Sequence, residues 1–179
     1  MKSLVFPGQG SQYVGMTHDL SKRFRIIGET WREADIVMND IIGESLSEFV
    51  LRSDLNDDEN AEAENKLKET EYTQPAMLTA DLAIERLLNQ HGIHPDMVAG
   101  HSLGEYAALM VSGILRFEDA LRAAAARGTE MGSVEVPDKG IMASITAPYD
   151  VIESVLDSID GYVIAANKNS PNMTVIAGE

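Results

Sequence analysis

The sequence predicts an α/β fold, and three features lead to that expectation. A short apolar run, Met97-Val98-Ala99, passes through Gly100-His101-Ser102-Leu103-Gly104 into the helix-forming stretch Glu105 to Val111, the strand–turn–helix order of α/β proteins. A second apolar run, Leu4-Val5-Phe6, ends in Pro7-Gly8-Gln9-Gly10-Ser11-Gln12, a loop at the carboxyl end of a strand, where ligands bind in open α/β sheets. From Gly140 the texture changes to short strands around one helix, which predicts a second, smaller unit. The expected organisation is an α/β core over residues 1–136 and an incomplete ferredoxin-like α+β subdomain over 137–179.

In chain order, residues 16 to 39 read as helical, because Leu20, Phe24, Ile27, Trp31 and Ala34 recur every three or four positions. Trp31 on that stripe is expected in the core, and Ile41 to Leu51 is expected to continue as a short helix. Between Ser53 and Glu71 stand eight acids and two lysines, the composition of a solvated loop or an exposed helix. Thr73-Gln74-Pro75 is expected to start a strong helix, with the proline early enough for its missing N–H to cost nothing. Met77, Leu78, Leu82, Ile84, Leu87 and Leu88 give that helix a wide apolar face, and Gly92 ends it. Gly113-Ile114-Leu115 breaks the helix after Ser102, and Phe117-Glu118-Asp119 opens another through Arg127 to about Met131.

Beyond Gly140, Ile141 to Ile145 is a strand, Asp150 to Ile159 a helix, and Tyr162 to Ala166 and Met173 to Ala177 strands. This β-α-β-β order lacks the last helix and strand of a ferredoxin-like unit. Uncovered strand edges, together with Ile141, Ile145, Val163 and Val175 on an exposed apolar face, make self-association an expectation.

Composition removes several function classes. The net charge is −15 over 179 residues, which repels nucleic-acid phosphates. No apolar run reaches the length of a membrane span. Without cysteine there is no disulfide, no thiolate metal site and no cysteine nucleophile. No metal is expected, and a cytoplasmic location fits.

The chemistry is concentrated at Gly100-His101-Ser102-Leu103-Gly104, a Gly-x-Ser-x-Gly pentapeptide between strand and helix, which reads as a nucleophile elbow. A turn that sharp leaves no room for side chains two residues either side of the serine, and it can demand angles that a Cβ resists. Ser102 then stands at a helix N-terminus, where N–H groups meet developing negative charge. A serine hydroxyl needs a base, and the histidines are His18, His91, His94 and His101. His101 neighbours Ser102 and is expected to pack beneath the elbow. His91 and His94 precede the strand and belong near its far end. Elbow enzymes place their histidine after the serine, and here none follows Ser102. Together with the unfinished ferredoxin-like order, this leads to the expectation of an N-terminal part of a longer enzyme.

Phe6-Pro7-Gly8-Gln9-Gly10-Ser11-Gln12, Thr73-Gln74-Pro75-Ala76, Gly100-His101-Ser102-Leu103-Gly104-Glu105 and Arg127-Gly128, in that order, resemble the malonyl-CoA:acyl-carrier-protein transacylases and the acyltransferase domains of polyketide synthases. The resemblance covers about the first three-fifths of a family member and implies an α/β hydrolase-like parallel-sheet core. It implies Ser102 as the acylated nucleophile and the backbone N–H groups of Gln9 and Leu103 as the oxyanion hole. It also implies Arg127 as partner of the malonyl carboxylate, with Gln74, His101 and an asparagine, Asn167 or Asn169, near the substrate. No cofactor is implied: a coenzyme A thioester, malonyl-CoA, is the substrate and acyl carrier protein the partner. The chain departs from the family's Asn-Ser-Pro-Gly-Gln in reading Asn169-Ser170-Pro171-Asn172-Met173. A serine esterase on the same elbow, and a non-catalytic fragment binding acyl-CoA or carrier protein, are the alternative readings.

Overall fold

The computed structural model describes residues 1–134, 138 and 140–178. They fall into two compact units, Met1–Ser133 and Val134–Glu179; the boundary expected at 136/137 lies outside the described residues. The first unit opens with β1 (Ser3–Phe6), followed by α1 (His18–Arg23), α2 (Arg25–Ile42), α3 (Ser47–Val50), α4 (Asp57–Lys68) and α5 (Thr70–Gln90). After these come β2 (Met97–Gly100), α6 (Gly104–Val111) and α7 (Phe117–Gly132). β1 and β2 pair in parallel, Ser3 opposite Met97 and Phe6 opposite Gly100. The register brings the loop after β1 and the turn after β2 to the same edge.

The core sits around α5. Its residues from Tyr72 to Ala80 are buried all round, as expected of a helix enclosed by others. α2 packs beside it through Ile27, Trp31, Ala34 and Met38. Trp31 is fully buried, as its place on the apolar stripe predicts, and its Nε1 donates to Thr17 Oγ1 at 2.8 Å. Arg86 of α5 bridges the helices, pairing with Glu33 of α2 and lying over the Phe117 ring of α7.

Three local expectations are corrected, and a fourth is made specific. The single helix over 16–39 is two helices, separated at Phe24, whose backbone is extended (φ −127°, ψ 112°) and whose ring meets His91 edge-on. α2 ends at Ile42, with Gly43 taking a left-handed φ of 74°, so Ile41–Leu51 is not one helix: Ile41 and Ile42 close α2, and helix resumes only over Ser47–Val50. The acidic stretch, expected as a solvated loop or an exposed helix, is largely the exposed helix α4, started by a reciprocal capping box between Asn56 and Glu59. α5 begins at Thr70, so Pro75 lies inside the helix and not at its start. Its missing N–H leaves one carbonyl in the preceding turn without a helical donor.

The second unit contains β3 (Ile141–Ile145), α8 (Tyr149–Leu156), β4 (Val163–Ser170) and β5 (Met173–Gly178). β5 is central and antiparallel to both neighbours, so β3 and β4 run parallel to each other with β5 between them. Two strands joined by a helix around an inserted third form a split β-α-β arrangement. Ile145 and Ile176 face α8, where they line an apolar groove with Val151, Ile152 and Val155. The register puts Ile141, Ile145 and Val163 on that same face, whereas Val175, opposite Ser144, points to the other. The four residues expected on one face are therefore split between two. Ile141 is nonetheless 78% exposed, and β3 and β4 each pair on one side only among the described residues.

Asp81 of α5 keeps Oδ2 buried with no hydrogen-bond partner among the described residues, and burial pushes its carboxyl up to about 7. An unfolded aspartate ionises at about pH 4. Between about pH 4 and 7 the folded state therefore holds a proton the unfolded state has lost, and stability falls as pH rises through that window. Asp81→Asn should flatten this part of the curve, read by urea denaturation at about pH 4 and pH 8. An unchanged slope would contradict the burial of this group.

Candidate active site

The turn between β2 and α6 is shaped by backbone crowding. A Cβ on Gly100 would lie 2.0 Å from the Gly104 carbonyl oxygen, and one on Gly104 would lie 2.2 Å from that of Phe6 and 2.7 Å from that of Pro7. Only glycine lets the start of α6 sit against β2 on one side and the end of β1 on the other. Neither glycine has a positive φ. The left-handed angle falls on Ser102, at φ 52°. The expectation that the glycines carry the unusual angles is thus corrected: they supply space, and the serine carries the strain, worth about 1–3 kcal/mol. The surrounding hydrogen bonds hold it there. His101 N–H donates to Phe6 O at 3.1 Å, Gly104 N–H to His101 O at 2.9 Å and Glu105 N–H to Ser102 O at 3.0 Å.

Ser102 is exposed, while the Leu103 side chain beside it is buried and anchors the turn. The loop after β1 lies directly against it. A Cβ on Gly8 would stand 3.6 Å from Ser102 Cβ and 3.1 Å from His101 Nδ1. His101 is exposed, not packed beneath the turn. Its ring and the serine both approach Gly8, because strand alternation does not extend through a left-handed residue. Among the described residues, the backbone N–H groups of Gln9 and Leu103 have no acceptor.

The loop is braced along its length. Gly10 N–H donates to Gln12 Oε1 at 2.8 Å, and Ser11 Oγ approaches Met77 Sδ of α5 at 3.8 Å. Val14 N–H donates to Glu64 Oε1 of α4 at 2.9 Å, and Gly15 N–H to Val50 O at 2.7 Å. The acidic segment therefore reaches the loop through Glu64. Nothing in a run of eight acids singles that residue out beforehand. Met77 was more legible, one helical turn beyond Gln74 on the same helix. Elsewhere α4 is pinned by Lys66, which pairs with Glu44 and lies over the Phe49 and Tyr72 rings. The Lys66 hydrogen bond holds the Glu44 carboxyl below its ordinary value. Burial, with Glu44 as acceptor, pushes the Tyr72 hydroxyl up to about 12.

Arg127 of α7 donates from Nη1 to Gln74 Oε1 of α5 at 2.8 Å. Its exposed neighbours on the helix do not engage it, and among the described residues no acid stands within ion-pair distance. α5 and α7 approach closely here: Thr70 Oγ1 donates to Gly128 O at 2.6 Å, and a Cβ on Gly128 would lie 2.4 Å from Thr70 O. The structure thus brings Ser102, His101 and the Gln9 loop together, and pairs Gln74 with Arg127. Asn167 lies on exposed β4 of the second unit, in register with Val175, with Asn169 on the same strand. Away from Ser102, His91 Nδ1 lies 2.8 Å from Leu87 O, His94 Nδ1 2.9 Å from Asn89 Oδ1 and His18 Nε2 3.3 Å from Ser53 Oγ.

The chain belongs to the acyl transferase domain family, whose model matches residues 3–179. Among curated relatives, the malonyl CoA-acyl carrier protein transacylase of Escherichia coli O157:H7 is 40% identical over 98% of this chain and 54% of its own length. MCAT from Streptococcus pneumoniae superposes with a TM-score of 0.83 at 41% identity, over 100% of this chain and 55% of that structure. A malonyl-transacylase solved in complex with its type II polyketide synthase acyl-carrier protein gives a TM-score of 0.83 at 36% identity, over 98% and 54%. The chain spans about half the length of the transacylase relatives it matches. No described helix is long and apolar enough to cross a membrane.

Gly104→Ala should destabilise the first unit by about 3 kcal/mol, the upper range for overpacking, because its new Cβ meets backbone that cannot rotate away. Urea denaturation against wild type measures this, and a loss below about 1 kcal/mol would show that α6 can retreat from β1.

Proposed function

We propose that this chain carries the nucleophile part of an acyltransferase that moves a malonyl group from coenzyme A to the phosphopantetheine thiol of acyl carrier protein. The observation that carries this reading is Ser102, exposed at a left-handed φ of 52° with the Gly8 loop against it. We read that turn as a nucleophile elbow on a hydrolase-like core, and the split β-α-β of the second unit as the start of a ferredoxin-like subdomain. The names of the relatives support malonyl transfer to a carrier protein in fatty-acid or polyketide synthesis.

In this mechanism Ser102 Oγ attacks the thioester carbonyl of malonyl-CoA as a base removes its proton. The tetrahedral oxyanion is assigned to the N–H groups of Gln9 and Leu103, which have no acceptor among the described residues, since fixed donors stabilise charge as it develops. Collapse breaks the C–S bond, and the coenzyme A thiolate leaves and takes up a proton. The carrier-protein thiol then attacks the Ser102 ester, and the serine oxygen recovers its proton as it departs. Two half-reactions at one serine give ping-pong kinetics. His18, His91 and His94 hydrogen-bond to Ser53, Leu87 and Asn89, and the mechanism assigns the proton to none of these three. Arg127 presents a planar cationic fork to the malonyl carboxylate. A serine esterase would have no use for an arginine held in this way.

Incubating the enzyme that contains this chain with malonyl-CoA should raise its intact mass by one malonyl group, and Ser102→Ala should abolish the rise. Acylation persisting in the alanine variant would place the nucleophile elsewhere. Arg127→Ala should cost malonyl transfer about 2–5 kcal/mol, the range for removing one partner of a buried charge pair, while acetyl transfer holds or improves. Equal losses with malonyl-CoA and acetyl-CoA would make Arg127 a structural residue.

A further inference from the structure

The Arg127 guanidinium has five N–H donors and a fixed positive charge. One donor is taken by Gln74 Oε1 at 2.8 Å. Gln74 is fully buried, and its Nε2 faces Met131 Sδ at 3.5 Å, one turn beyond Arg127 on α7. The two ends of the amide thus meet different partners, which fixes its orientation: the oxygen toward the cation, the nitrogen toward the thioether. The hydrogen bond locates the guanidinium without neutralising it. A glutamate of the same length would also accept from Nη1, but it would form a charge-assisted pair and satisfy the cation internally.

From this we infer that Gln74 is a positioning residue that sets specificity: it holds Arg127 with a neutral acceptor and so reserves the charge for acyl thioesters bearing a free carboxylate. The inference rests on the acyltransferase reading above. It differs from a simple pocket-lining role, because Gln74 acts through Arg127 without touching the acyl group.

The test is Gln74→Glu in the enzyme that contains this chain, comparing Ser102 acylation by malonyl-CoA and by acetyl-CoA. Malonyl kcat/KM should fall by about 30-fold or more, the lower bound for spending a buried charge pair, with acetyl kcat/KM within about 2-fold of wild type. Damage to the scaffold would lower both alike, and that outcome, or an unchanged malonyl rate, overturns the inference. If the glutamate variant is unfolded by thermal melting, Gln74→Met serves instead. It removes the acceptor while keeping length and neutrality, and should reduce the malonyl preference in part, whereas an unaltered preference overturns the inference. Failure of the wild-type enzyme to acylate on Ser102 would overturn the acyltransferase reading itself. Wild-type acylation with parallel losses in the variant would overturn this inference alone.

Discussion

The direct contact of three backbone segments underlies the arrangement at the carboxyl ends of β1 and β2. Gly100, Gly104 and the Phe6–Pro7 carbonyls approach to distances at which no Cβ fits. That contact sets where α6 starts, and the start of α6 forces the intervening residue into a left-handed conformation. The exposed hydroxyl of Ser102 and its nearness to the Gly8 loop both follow. The unpaired N–H of Leu103, among the described residues, follows as well, because a helix start leaves its first donors without helical acceptors. The parallel register of β1 with β2 brings a loop from residue 8 and a turn from residue 102 to one place.

Around this point the molecule uses second contacts to hold first ones. Ser102 is kept by hydrogen bonds from its neighbours, the Gly8 loop by Glu64 and Val50, and Arg127 by Gln74, which is itself bounded by Met131. Sites built in this way depend on the supporting shell for their precision. The acidic helix α4 is part of that shell. Its charge is largely solvated, yet one carboxylate, Glu64, secures the backbone of the loop that follows β1.

Much of this was legible in the sequence, and the exceptions have physical causes. The strand–turn–helix order around Ser102 could be read because strand, glycines and helix follow one another within a dozen residues, and local sterics decide such a turn. Helix α7 and strands β3 and β5 were legible from periodicity and length. The break at Phe24 was not, since an aromatic residue at helical spacing gives no sign that its backbone will extend to place a ring against His91. Pro75 misled because tertiary burial of α5 outweighs the loss of one helical hydrogen bond. His101 misled because alternation assumes an extended chain. Val175 misled because facing depends on the register of β5 with β3, which composition does not encode. The Gln74–Arg127 pair joins residues 53 positions apart and became visible only with the packing of α5 on α7.

That packing bears on how such a site could be altered. At Gly128 the backbone of α7 touches the Thr70–Glu71 backbone of α5 with no side chain between them. The two helices cannot come closer along this line, and moving them apart to admit a bulkier group beside Arg127 would break the Thr70–Gly128 hydrogen bond. Under the proposed reading, a lineage that comes to accept larger acyl groups has to do so by trimming or exchanging side chains around a fixed frame. Diversity in substrate would then be written in single residues near positions 74, 127 and 131, and the helix axes would stay the same from one relative to the next.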